Sequence, residues 1–314
     1  MGDTSPVAVE IPPALDESVL RLRDGRRLGY AIFGAPDGDV VLWFHGTPGG
    51  RRQVPPGVRV AAAERNLRVV GIDRPGTGAS TSHLHGSILE YSGDIEELAD
   101  ALGADRFGVV GLSGGGPYVL GCAYAMPTRV VAGVVLGGVA PTLGDERVNG
   151  GVAQLARRFG PLLNVVREPL GMMLTGLTRL ARPIENQAFD LYMRNSPPGD
   201  QRVFANPEMR EMFIADLRSA ARTGLKAPVY DAILFAKPWG FSPSDVKVTI
   251  AFWHGDSDNI VPLHHARHLQ ALVRGSTLSV RAGESHLGAL EAGEEILDTI
   301  LDHWPDRQHR PAEA

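Results

Sequence analysis

Cysteine is nearly absent: Cys122 is the single one in 314 residues. That excludes an internal disulfide and fits a reducing compartment. Set in the helix-like stretch after Gly116, Cys122 reads as a small buried hydrophobe. Nowhere do apolar residues run for the ~18 positions that a bilayer-crossing helix needs, so no integral membrane association is expected. The opening Met1-Gly2-Asp3-Thr4-Ser5-Pro6 has no basic start leading into an apolar core. No secretory signal is therefore expected, and the location read from this is cytoplasmic. Concentrated positive charge is missing as well. A net charge of −5 leaves no footprint for nucleic acid or an anionic membrane surface, and the partner expected is a small-molecule substrate. Composition carries no signature of oligomeric state.

What is present is an ordinary globular composition, 43% hydrophobic and 21% charged, enough for one large core with an insertion. Polar, proline-bearing ends at 1–17 and 305–314 read as loosely ordered. The chain then opens with strands at 18–23 and 26–33 around Asp24-Gly25, the strongest two-residue hairpin signal. From 40 to 136 short apolar runs (40–44, 68–72, Val109 with Val110, 130–136) alternate with helical segments at 55–64, 87–102 and 117–126. Ser87 and Glu90 have capping-box spacing ahead of the second helix, which Gly103 ends. Strands this apolar are buried on both faces, which predicts a mostly parallel, doubly wound α/β sheet. From 141 to 245 the alternation stops. Helices are expected at 152–159, 162–180, 185–194, 207–222 and 229–236, punctuated by Pro161, Pro183, Pro197-Pro198 and Pro228. The sheet resumes at 246–253 and 277–281, with helices at 262–273 and 288–303. The helical block is thus an inserted cap, and 18–140 with 246–304 form the core domain.

Four strand exits carry the polar residues. The first is His45-Gly46-Thr47-Pro48-Gly49-Gly50; the second, Gly111-Leu112-Ser113-Gly114-Gly115, matches G-x-S-x-G, in which a serine on a strained strand-to-helix turn lifts its hydroxyl above the sheet edge. The others are His254-Gly255-Asp256-Ser257-Asp258, followed by Ile260-Val261-Pro262, and Gly283-Glu284-Ser285-His286. Serine, acid and histidine follow in that chain order.

These motifs, with Asp73-Arg74-Pro75-Gly76-Thr77-Gly78-Ala79-Ser80, resemble the α/β-hydrolase superfamily of serine esterases, lipases and proline-iminopeptidase-like enzymes across nearly the whole chain except the cap. The resemblance implies Ser113 as nucleophile, His286 as general base and Asp258 as the acid that orients it, with Asp256 the runner-up. It implies an oxyanion hole from the N–H groups of Thr47 and Gly114, and no cofactor or metal. The activity implied is hydrolysis of a small, largely uncharged acyl substrate, a carboxylic ester first. Alternatives are an N-terminal-proline peptidase, a carbon–carbon bond hydrolase, a cofactor-free haloperoxidase or perhydrolase, and a ligand receptor that keeps the triad without chemistry. Ser113 disfavours the dehalogenase branch, which uses aspartate at the elbow.

Other residues read as structural. His45 is expected to satisfy nearby backbone groups, and Asp73 with Arg74 to brace their turn. His264, His265 and His268 include an i, i+4 pair but lack supporting ligands for zinc. Segment 162–180 carries more Leu, Val and Met than one amphipathic face can hold. Most are expected to pack on the core, with Met172 and Met173 turned toward the pocket as substrate-binding residues.

Overall fold

The computed structural model describes residues 11–222 and 224–305. The loose ends expected at 1–10 and 306–314 lie outside the described residues; inside the N-terminal segment, the Leu15 N–H already donates to Ile32 O at 2.7 Å. An antiparallel pair, β1 (Asp16–Arg21) and β2 (Arg27–Gly34), opens the sheet. Strands β3 (Asp39–Phe44), β4 (Leu67–Ile72), β5 (Phe107–Leu112), β6 (Val130–Leu136), β7 (Ile250–Gly255) and β8 (Thr277–Arg281) run parallel to one another. The spatial order is β1-β2-β4-β3-β5-β6-β7-β8, so β3 and β5 lie at the centre. All six residues of β5 and of β7 are buried. Side chains alternate across a strand, and the sheet therefore feeds two apolar clusters. One holds Leu42, Phe44, Val109 and Phe252, the other Val41, Trp43, Val110 and Trp253.

Helices α1 (Pro56–Glu64), α2 (Tyr91–Ala101), α3 (Gly116–Ala125), α9 (His264–Leu272) and α10 (Gly293–Leu301) flank the sheet. Ser87 Oγ accepts from the Glu90 N–H, but the Glu90 carboxylate reaches back to the Gly86 N–H rather than closing a box, and α2 begins only at Tyr91.

Between β6 and β7 lie α4 (Gly151–Ala181), α5 (Glu185–Arg194), α6 (Pro198–Ala205), α7 (Pro207–Ala220) and α8 (Ala227–Phe235). Two expectations fail here. The break foreseen at Pro161 is absent: α4 runs 31 residues through Pro161 and Pro169, although each interior proline forfeits a backbone bond and costs roughly 3 kcal/mol. Packing on α8 offsets that cost. A Cβ on Gly160 would stand 2.9 Å from the Ala236 Cβ, and one on Gly171 2.6 Å from the Lys226 Cγ. These glycines are three turns apart on one face, and they let α4 lie close along the length of α8, antiparallel to it. The second miss is α6. Pro197-Pro198 reads as punctuation by local propensity, but Pro198 occupies the first turn of a helix, where its missing N–H costs nothing.

The same packing overturns the expectation for 162–180. Gly160, Gly171 and Thr175 occupy the inward face, and the residues that follow Gly171 rotate away from it. Leu162, Val165, Leu177 and Leu180 are more than half exposed, as are Met172 at 61% and Met173 at 52%. Among the described residues, no helix is long and apolar enough to cross a membrane.

Candidate active site

At the carboxyl end of β5 the chain reverses into α3 through Ser113, whose φ of 52° is left-handed. A non-glycine residue held there costs roughly 1–3 kcal/mol, and the surroundings must enforce it. They do so by crowding. A Cβ on Gly111 would come 2.6 Å from the Gly115 carbonyl oxygen, and one on Gly115 would strike Phe44 O. The elbow thus tolerates no side chain on either glycine.

The structure brings Ser113, His286 and Asp258 together. Ser113 Oγ lies 2.8 Å from His286 Nε2, and His286 Nδ1 lies 2.7 Å from Asp258 Oδ2. A carboxylate only accepts, so Nδ1 carries the proton and Nε2 is left to accept from the serine hydroxyl. All three side chains are largely withdrawn from solvent, Ser113 at 8% exposure, His286 at 7% and Asp258 at 5%. Burial by itself would raise the Asp258 carboxyl. Hydrogen bonds from His254 and His286, the charge His286 takes on when protonated, and the Val261 N–H instead hold it well below the usual carboxylate range. Asp258 Oδ1 accepts from the N–H groups of Ile260 and Val261, each at 2.8 Å, which aims Oδ2 at the imidazole. Asp256, the runner-up, is exposed and accepts from Ser257 Oγ and the Gly283 N–H. His254, which sequence reasoning passed over, places Nε2 3.2 Å from Asp258 Oδ2 and 2.6 Å from Val261 O. Its position four residues before Asp258 was the signal.

Thr47 lies against Gly114, the pair expected to form the oxyanion hole, close enough that a Cβ on Gly114 would collide with Thr47 Oγ1. The Thr47 hydroxyl donates to Asp231 Oδ2 at 2.6 Å and accepts from Arg74 Nη2 at 2.9 Å. Arg74 and Asp231, 1% and 2% exposed, form an ion pair at 2.7 Å. Arg74 also donates to the carbonyls of His45 and Gly46, and the Tyr118 hydroxyl donates to Asp231 Oδ1 at 2.7 Å. Burial draws the Arg74 guanidinium down, and the charge of Asp231, together with its hydrogen bonds, brings it above its ordinary value. His45 Nδ1 lies 2.6 Å from Gly46 O, while Nε2 accepts from the Arg74 N–H. Burial first, then Arg74, depresses its pKa far below the usual histidine value, so the ring is a neutral spacer. Asp73 Oδ1 and Oδ2 take the N–H groups of Arg51 and Ala79. His264 and His268 bond the backbone carbonyls of Asn149 and Glu146, and His265 Nδ1 accepts from the Ala140 N–H.

Met172 and Met173 face solvent and line none of the cavities described here. An apolar cavity of about 370 Å³ opens between the end of α4, α5 and α7, walled by Ala181, Phe189, Phe213, Ile214, Leu217 and, in the loop after β3, Pro48; Ser113, His286 and Asp258 do not line it. Its one carboxylate, Glu185, is paired with Arg218. A larger polar hollow of about 640 Å³ borders Asp39 and Arg68, at the amino ends of β3 and β4. Open α/β sheets bind ligands at the opposite, carboxyl edge.

A parallel sheet whose central strand delivers a left-handed serine onto a histidine–aspartate pair defines the class of α/β hydrolases. Residues 39–292 match the alpha/beta hydrolase fold family, and the chain belongs to it. It is 32% identical over 131 residues to a proline iminopeptidase of Xylella fastidiosa, a match covering 41% of each protein. With one from Arabidopsis thaliana it shares 32% over 123 residues, 38% of this chain and 32% of that protein. The aligned part therefore spans well under half of these relatives. Among solved structures, a hydrolase from Pseudomonas aeruginosa superposes with a TM-score of 0.67 at 20% identity, over 92% of this chain and 99% of that one. An esterase from Rhodococcus sp. gives 0.65 at 18%, over 92% and 99%. At such identities the likeness is one of fold.

Proposed function

We propose that the protein is a serine hydrolase acting on a small, largely uncharged acyl substrate, a carboxylic ester first of all. The observation that carries this is the continuous hydrogen-bonded line from Ser113 through His286 to Asp258. In the proposed reaction His286 Nε2 takes the Ser113 proton as the hydroxyl oxygen attacks the carbonyl carbon. Asp258 stabilises the resulting imidazolium and keeps the ring oriented. The N–H groups of Gly114 and Thr47 take the developing oxyanion. Collapse breaks the acyl–oxygen bond, the alcohol leaves with the proton from His286, and water attacks the seryl ester by the same relay.

The second reading is an N-terminal-proline peptidase, favoured by the matched relatives. Recognition of a free amine calls for an unpaired carboxylate, and the Glu185 side chain in the cavity is already bound to Arg218; the apolar walls suit an ester. Intact mass after a fluorophosphonate should show one adduct, lost in Ser113→Ala together with roughly 10⁴–10⁶ of the turnover. Labelling that survives the substitution refutes the nucleophile. Turnover of a proline anilide but of no p-nitrophenyl ester moves the reading to the peptidase.

A further inference from the structure

Three cap helices each send one aspartate inward: Asp200 from α6, Asp216 from α7 and Asp231 from α8, exposed by 1%, 0% and 2%. A buried carboxylate is costly unless hydrogen-bonded, so the partners of these three are informative. Every hydrogen bond described for them comes from the core. Asp200 Oδ1 takes the Ser285 hydroxyl and, at 2.9 Å, the Leu287 N–H, the two residues that bracket His286. Asp216 takes the N–H groups of Gly50 and Arg52 at 2.8 and 3.0 Å, the far end of the loop that starts at His45. Asp231 takes the Thr47 hydroxyl, Arg74 and Tyr118.

We infer that the three cap aspartates are positioning residues: they set the loops carrying Thr47 and His286, so the active site is assembled only with the cap seated. The inference rests on the serine-hydrolase reading of Ser113. Its sharpest case is Asp231. The Thr47 hydroxyl donates to Asp231 on one side and accepts from Arg74 on the other, which locks the side chain and with it the peptide whose N–H faces the oxyanion. Such donors work by being fixed before charge develops, and a displacement of about 1 Å can cost on the order of 100-fold in rate.

Thr47→Val keeps the shape and the backbone N–H but removes the hydroxyl, while Arg74 and Tyr118 still satisfy Asp231, so the fold is retained. Steady-state kinetics on a p-nitrophenyl ester should show kcat down about 10–100-fold with KM within about twofold of wild type. Thr47→Ser, which restores the hydroxyl, should recover most of the lost kcat. Unchanged kcat in Thr47→Val, equal impairment of both variants, or a loss confined to KM overturns the inference. Retained turnover in Ser113→Ala, run in parallel, overturns instead the reading on which it stands.

Discussion

Replacing Asp231 with asparagine keeps nearly the same volume but strips the counter-charge from an Arg74 side chain that is 1% exposed. Both partners are shielded from solvent, so screening gives no relief, and breaking a buried pair costs about 3–5 kcal/mol. Unfolding entropy of about 2.1 cal/mol/K per residue over 314 residues gives about 0.7 kcal/mol per degree. The melting temperature should therefore fall by about 4–8 °C. Arg74→Met should cost a similar amount, because it strands the carboxylate and also frees the carbonyls of His45 and Gly46. The informative measurement is the cycle. With both charges gone no uncompensated ion is left, and the double variant should melt within a few degrees of the worse single variant rather than at the sum of the two losses. Thermal unfolding of the four proteins in one buffer decides it. Losses that add to within about 0.5 kcal/mol, or a single-variant loss under about 1 kcal/mol, refute the claim that this pair bonds cap to core.

Asp258→Asn should lower kcat about 10³–10⁴-fold and Asp256→Asn far less; the reverse order in steady-state assays would move the orienting acid to Asp256. Burial raises the Asp73 carboxyl to about 6, and burial together with Asp73 raises Asp216 to about 7, against the opposing pull of Arg51 on Asp73 and Arg59 on Asp216. A carboxyl with a raised folded pKa holds its proton more tightly in the fold than in the unfolded chain, so this contribution is complete below about pH 4 and lost as pH climbs through about 6–7. Melting temperature recorded from pH 4 to 8 should accordingly be flatter for Asp216→Asn than for wild type, and parallel curves would contradict it. Phe213→Ala should shift the chain-length profile on p-nitrophenyl esters from acetate to laurate, while Met172→Ala with Met173→Ala leaves it unmoved. The opposite pattern would return the substrate contacts to the methionines.

The sheet and the elbow were legible because both are written locally. A strand buried on two faces must be an unbroken apolar run, as in 40–44 and 130–136, and a left-handed serine needs glycines where Gly111 and Gly115 stand. Chain order then pointed to an acid at 256–258 and to His286, since successive parallel strands deliver their exits to one edge, and the family resemblance put Asp258 ahead of Asp256. The cap was different. Pro161 argues for a helix end by local propensity, and only α8, some 70 residues later, supplies the packing that carries α4 through it. Met172 and Met173 satisfy any amphipathic pattern; that they meet solvent depends on Gly160 and Gly171 having taken the inward face. Nothing local in the sequence marks Asp200, Asp216 or Asp231 as buried. A buried aspartate is stable only against donors brought to it from elsewhere in the chain, and those donors, Thr47, Arg74, Gly50 and Leu287, lie between 87 and 184 residues away. Periodicity reports what a segment can bury; which face it buries, and which charges it takes inside, is decided by the partners that tertiary packing provides.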